Sequence, residues 1–192
     1  MDTGRIHTLK DNVLAVLAMT SATLILSACG TLSGDDPGAR APDTIWDDQR
    51  IEYNTLKEIK ASDPRFESSH IVTVSHNGVV LLAGQVESED LKLKAAEVAD
   101  TLIGVREVHN ELEIGGPSSM VARSNDAWLT TKVKTKLIGH GAIDSDRVNV
   151  TTENGVVFLM GTVPREQARY AVEVTQTVFG VEKIVKVFEY TD

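Results

Sequence analysis

The chain has 192 residues, 42% hydrophobic, 24% charged and 5% aromatic, with 19 Lys+Arg against 28 Asp+Glu and a formal net charge of −9. This make-up suits an ordinary globular chain and excludes a collagen-like sequence, a disulfide scaffold, a polytopic membrane protein and a wholly disordered chain. The acidic balance also argues against nucleic acid, and at face value against any anionic partner, lipid included.

Residues 1–28 read as a secretory signal, with Arg5, His7 and Lys10 in a polar start and an apolar stretch from Val13 to Leu26. That stretch is too short and too interrupted for a confident membrane-spanning helix. It ends Leu26-Ser27-Ala28-Cys29, which matches the bacterial lipobox. Small residues there admit a signal peptidase, and the thiol accepts a diacylglyceryl group. Cys29 is the only cysteine, so it forms no intramolecular disulfide and is the expected lipidation site. Buried acyl chains contribute about 0.8 kcal/mol per methylene, enough for a lasting anchor. In lipoproteins that this N-terminus resembles, Asp after the Cys retains the protein at the inner membrane; Gly30 points to the outer one. Residues 29–45 are expected to be the lipidated Cys and a flexible tether. The span from Gly30 to Ile45 reaches at most ~55 Å extended and ~20–24 Å as a coil.

A helix is predicted over about 47–60, and a strand follows up to Asn77-Gly78. An Asn-Gly pair between apolar runs is the strongest short signal for a two-residue hairpin. The next strand is almost continuously apolar, as expected when both faces are buried, and Gly84 near its end marks close approach by another element. A helix over about 88–102 carries Leu91, Ala95, Val98 and Leu102 on one face. Gly104 fits its C-terminal stop, and a strand over about 105–114 completes the unit. Residues 116–123 form a linker. The same order then recurs: a helix over about 125–138 with Ser124-Asn125-Asp126 as N-cap residues, a hairpin at Asn154-Gly155, Gly161, a helix over about 165–178, Gly180 and a strand over about 181–190. In that last helix Ala168, Val172, Thr175 and either Val178 or Phe179 mark the buried face.

Seven of sixteen positions are identical between Ile71–Val86 and Val148–Val163 at an offset of 77, and Gly104-Val105 matches Gly180-Val181 at 76. Agreement in both order and spacing identifies one unit written twice. The expected class is α+β, two tandem αββαβ units, each a small three-stranded mixed sheet packed by two helices. The first copy carries Val72 and Val74 where the second carries Val148 and Val150, a one-residue change of phase that would reverse the faces of its strand.

The helix–hairpin–Gly–helix–Gly-Val-strand order resembles the BON domain. It does so most closely over residues 124–134 and 150–161, with a first BON domain at 46–115 and a second at 124–192. Signal, lipobox, tether and two units together look like a dual BON-domain outer-membrane lipoprotein. The resemblance implies a mixed three-stranded sheet and binding of anionic phospholipids, such as phosphatidylglycerol and cardiolipin, through the first helix of the second unit. It also implies a periplasm-facing, lipid-anchored monomer that supports outer-membrane integrity, with enrichment at the division site and a connection to the barrel-assembly machinery. No cofactor is expected beyond the lipid on Cys29.

The residues of helix 125–138 can support lipid contact. On a helical wheel Leu129, Val133 and Leu137 share a face that should dock on the sheet, and Trp128 lies about 140° from Val133. Lys132 and Lys136 follow Trp128 by four and eight residues, and Thr131 and Thr135 lie on its other side. The segment holds Lys132, Lys134 and Lys136 against Asp126, a net of +2. Trp suits a membrane interface, Lys can cover apolar surface while its ammonium stays wet, and each Lys near an anionic surface contributes about 1 kcal/mol. Trp128, Thr131, Lys132, Lys134, Thr135 and Lys136 are therefore the expected phospholipid site. The bland alternative packs Trp128 against the first copy or has it cap the core, with the lysines merely solvating the helix. The matching helix 47–60 has a net of −1 and places Ile51 opposite Trp128, so only the second copy is expected to meet an anionic surface. Trp46 is expected to pack near the start of the first copy.

No nucleophile motif, metal-ligand spacing or phosphate loop is present, so no catalytic or metal residue is assigned. His70, His76, His109 and His140 read as surface or turn residues, and Asp35-Asp36 and Asp47-Asp48 as solubilising charge. A protein-binding adaptor is the competing function, with the first copy as the docking unit.

Overall fold

The structure, a computed structural model, describes residues 42–192. The signal, Cys29 and most of the expected tether lie outside the described residues. The first copy contains α1 (Pro42–Ser62), a 3-10 turn (Pro64–Ser68), β1 (His70–His76), β2 (Val79–Val86), α2 (Glu89–Asp100) and β3 (Glu107–Ile114). The second contains α3 (Met120–Ile138), a 3-10 turn (Ser145–Arg147), β4 (Val148–Glu153), β5 (Val156–Val163), α4 (Arg165–Gln176) and β6 (Lys183–Tyr190). The sheets run β1-β2-β3 and β4-β5-β6. In each, the first pair is antiparallel and the second parallel. A parallel pair needs a crossover, which α2 and α4 supply. The α+β architecture of two repeated three-stranded mixed sheets is therefore the one the sequence predicts.

Local chemistry fixes the hairpins. Asn77 and Gly78 have φ of 53° and 77°, and Asn154 and Gly155 of 48° and 76°. Both central residues are left-handed, as a two-residue turn matched to strand twist requires. A buried carboxylate from the first helix of each copy caps each turn. Asp48 accepts from the amides of Asn77 (2.8 Å) and Gly78 (3.0 Å) and from the Ser75 hydroxyl (2.7 Å). Asp126 accepts from the amides of Asn154 and Gly155, both at 3.0 Å. These bonds pin each helix to its own hairpin. Asp48 is thus not solubilising charge, and Asp126 is not an N-cap. The N-cap of α3 is Ser119, whose hydroxyl accepts from the Ala122 amide at 3.1 Å.

With no breaker between Ser119 and Asp126, α3 starts within the expected linker, and α1 starts at Pro42 within the expected tether. The second helices end early: α2 and α4 are closed by Thr101 and Thr177, whose amides reach back to carbonyls of the last turn. Gly104 and Gly180 therefore sit four residues beyond the helix ends. At φ of +95° and +104° they turn the chain into the last strand rather than stop the helix.

Gly84 and Gly161 mark a close approach, and the neighbour is the backbone where the chain enters the paired strand. A Cβ on Gly84 would lie 2.1 Å from the His70 carbonyl oxygen, and one on Gly161 2.0 Å from that of Arg147.

Each sheet buries one face under its helices. Val80, Leu82, Val86, Leu91, Ala95 and Leu112 form one core with Ile51 and Ile59. Val157, Leu159, Val163, Ala168 and Ala171 form the other with Leu129, Val133 and Leu137. The opposite faces of the two sheets meet each other, where Val79, Leu81 and Ala83 pack with Phe158, Met160 and Val187. The layers are helices, sheet, sheet, helices, as in a sandwich of paired sheets. Val74 packs into this central layer, while Thr73 and Ser75 turn towards α1. The strand therefore keeps its faces: Ile71 pairs with Gly84 as Val148 pairs with Gly161. The phase change supplies an apolar residue to the contact between copies, not a reversal.

The same layer accounts for two histidines expected at the surface. His76 is buried and its Nε2 lies 3.2 Å from the Thr162 hydroxyl. His70 Nε2 lies 3.3 Å from Glu153 Oε2. Glu153 also bonds Gln85, and burial raises its pKa while the His70 charge opposes the rise. Both histidines are covered by the partner sheet, which no single copy of the sequence reveals. Trp46 departs from expectation in the other direction: it is 69% exposed.

Candidate functional site: the outer face of α3

The capped hairpin and the buried Leu129, Val133 and Leu137 fix the roll of α3, which leaves Trp128 facing outward, 59% exposed. Packing against the first copy is thereby excluded for this ring. Lys132 Nζ lies 3.7 Å from the Trp128 ring centroid, within cation–π range, and donates to the Phe179 carbonyl at 2.8 Å. Lys136 donates to the Thr177 hydroxyl at 2.8 Å and to its carbonyl at 3.3 Å. The two lysines thus tie α3 to the turn between α4 and β6. At the tip of that turn Phe179 is 92% exposed, whereas Val178 is buried in the core. Of the two residues the helical pattern left open, Val178 is the core residue. Phe179 is a surface aromatic that periodicity alone did not single out.

The structure joins Trp128, Lys132, Lys136 and Phe179 in one patch. Thr131 and Thr135 lie on its Trp128 side, but their hydroxyl protons go to the Ala127 and Thr131 carbonyls. They can accept from a ligand but not donate to it. Lys134 is exposed yet projects ~160–200° around the helix from Lys136 and Lys132, so it is not part of the patch. Because Asp126 is buried against its hairpin, the exposed surface of this segment carries three positive charges without that carboxylate. Among the described residues no cluster of His, Cys, Asp or Glu could hold a metal ion, and no helix is long and apolar enough to cross a membrane.

The two carboxylate caps give the structural correspondence between the first helices. Asp48 matches Asp126 at an offset of 78, so Ile51 matches buried Leu129, and Trp128 matches exposed Arg50 rather than Ile51. By the same offset Asn54 and Glu58 stand where Lys132 and Lys136 stand. Neither bridges to the facing turn. A groove of about 1040 Å³ remains between α1 and the α2–β3 turn, lined by Arg50, Ile51, Asn54, Glu58 and Ile103 among others.

Comparison with known proteins agrees with this architecture. The BON domain pattern matches residues 47–116 and 125–192. The chain is similar to the outer membrane lipoprotein DolP of Haemophilus influenzae, 36% identical over 93% of this chain and 96% of the relative. It is also similar to a 21 kDa hemolysin of Actinobacillus pleuropneumoniae, 35% identical over 80% of this chain and 76% of the relative.

Proposed function

This chain belongs to the BON-domain family, with two BON domains in tandem, and from that premise we propose that it is a periplasm-facing outer-membrane lipoprotein. It is anchored through Cys29, binds anionic phospholipid on the outer face of α3 and supports outer-membrane integrity. It has no catalytic role in this reading. The outer-membrane assignment draws on the name of the DolP relative, together with the lipobox and Gly30.

The observation that carries the lipid assignment is the patch itself. Two exposed aromatics, Trp128 and Phe179, flank two ammonium groups that α3 and the facing turn hold in place. Aromatic rings gain by entering the interfacial region, and fixed lysines meet lipid phosphates there at little conformational cost. With the acyl anchor removed by Cys29→Ala, Trp128→Glu should weaken association with phosphatidylglycerol-containing vesicles by about 2 kcal/mol, roughly 30-fold, with melting unchanged. Equal vesicle binding by a folded variant would remove the assignment.

A second reading has its own observation. The open groove of the first copy is shaped for a side chain or short segment, as an adaptor to the barrel-assembly or division machinery would require. The two roles use different copies and are compatible.

A further inference from the structure

The first helix carries a feature that a segment-by-segment charge count hides. Along α1, Trp46, Arg50, Tyr53, Lys57 and Lys60 fall within about 40° of one line on the helix surface. Trp46 and Tyr53 are each 69% exposed, and the side chains of Arg50 and Lys57 are 77% and 60% exposed. The acids that make this segment net negative lie elsewhere. Asp48 is buried in the hairpin cap, and Glu52 turns aside to accept from the Ser75 amide at 2.8 Å. Asp47 and Glu58 stand on the flank that lines the groove, 3.4 Å from Arg50 and 4.0 Å from Lys57. With Asp48 and Glu52 turned into the fold, the outer side of the helix carries Arg50, Lys57 and Lys60 against Asp47 and Glu58, a net of +1 where the whole segment counts −1.

We propose that this outer face of α1 is a second contact for an anionic membrane surface, with Trp46 and Tyr53 entering the interface and Arg50, Lys57 and Lys60 meeting lipid phosphates. A bilayer is the occupant because the face is convex, long and cationic, with its aromatics spread along it, whereas a peptide partner would need a cleft. It is also the nearest surface. Pro42 follows Cys29 by thirteen residues, at most ~45 Å of extended chain, so α1 is the described element closest in sequence to the anchor. The stacked sheets put α1 and α3 in opposite outer layers, so a flat bilayer seats one helix at a time. The protein thus has two alternative membrane-facing orientations. This inference shares with the proposed function the anchor at Cys29, but not the contact through α3.

The chain contains two tryptophans, one on each face, so each contact can be read alone. The full lipidated chain is reconstituted in phosphatidylcholine vesicles with or without phosphatidylglycerol, the acyl chains carrying bromine as a quencher. In Trp128→Phe, emission from Trp46 should shift to the blue and be quenched only when phosphatidylglycerol is present, and high salt should reverse both changes. Arg50→Glu combined with Lys57→Glu should abolish the quenching. Unshifted, unquenched Trp46 in the anionic vesicles overturns the proposal. So does equal quenching in neutral vesicles or indifference to charge reversal, since either would mean mere nearness to the anchor. Trp46→Phe reports Trp128 separately, so failure of the α3 contact gives a different signal from failure of this one.

Discussion

The two copies share a frame down to single carboxylates and differ where that frame meets solvent. Asp48 and Asp126 cap equivalent turns, and Gly84 and Gly161 admit equivalent carbonyls. On the outside, Arg50, Asn54, Glu58 and Ile103 stand where Trp128, Lys132, Lys136 and Phe179 stand. In the second copy two lysines bridge helix to turn and close the space between them. In the first, a carboxamide and a carboxylate leave it open as a groove. The same backbone thus yields a cationic aromatic patch in one place and a cleft in the other. The side chain at two helical positions decides which.

If the frame is truly shared, equivalent substitutions should act alike in both copies. The largest expected effect is at the strand glycines. Gly161→Val and Gly84→Val should each cost about 3 kcal/mol or more in chemical denaturation, since the added carbon overlaps a backbone oxygen. A mild effect in one copy alone would break the equivalence. Next come the caps. Asp126→Ala and Asp48→Ala each strand two turn amides and should cost about 1–3 kcal/mol. Asp48→Ala should be the worse because its carboxylate also holds the Ser75 hydroxyl.

The smallest effect lies where the copies differ, at the last residue of the first strand: His76 in one, Glu153 in the other. Burial raises the Glu153 pKa, so the folded state holds that proton more tightly than the unfolded one. The associated stability is present below the ordinary carboxylate range and is lost as pH rises through the raised value. Glu153→Gln should therefore melt higher than the parent at neutral pH and equal it in acid. A lower melting temperature at neutral pH would mean that the His70 pairing outweighs the cost of burial.

Much of the fold was legible because the turns, glycines and apolar runs appear twice at nearly constant spacing. Leu129, Val133 and Leu137 were readable as the docking face of α3 from period alone, and the outward Trp128 followed from them. What the sequence concealed has a common cause, which is distance along the chain. The cap contacts join residues about thirty apart, so Asp48 and Asp126 look like surface or N-cap acids until the hairpin is in place. His70 and His76 look exposed until the second sheet covers them. Phe179 and the α1 line were missed for a simpler reason. A charge count over a segment discards direction, and so hides that Asp48 and Glu52 turn into the fold while Arg50, Lys57 and Lys60 stay outside.

The contact between the sheets is reciprocal. His76 of the first copy meets Thr162 of the second, and the equivalent Glu153 meets the equivalent Gln85. Leu81 and Phe158, equivalent residues, both lie in the shared apolar layer. This is the geometry of an isologous dimer, in which one patch recognises itself about a two-fold axis. The chain is thus a dimer fused end to end. Fusion turns a bimolecular encounter into an internal one at an effective concentration in the millimolar range, so the pairing holds however dilute the protein is. It also frees the halves from identity: both copies present the same buried contact, while their outer helices carry different side chains.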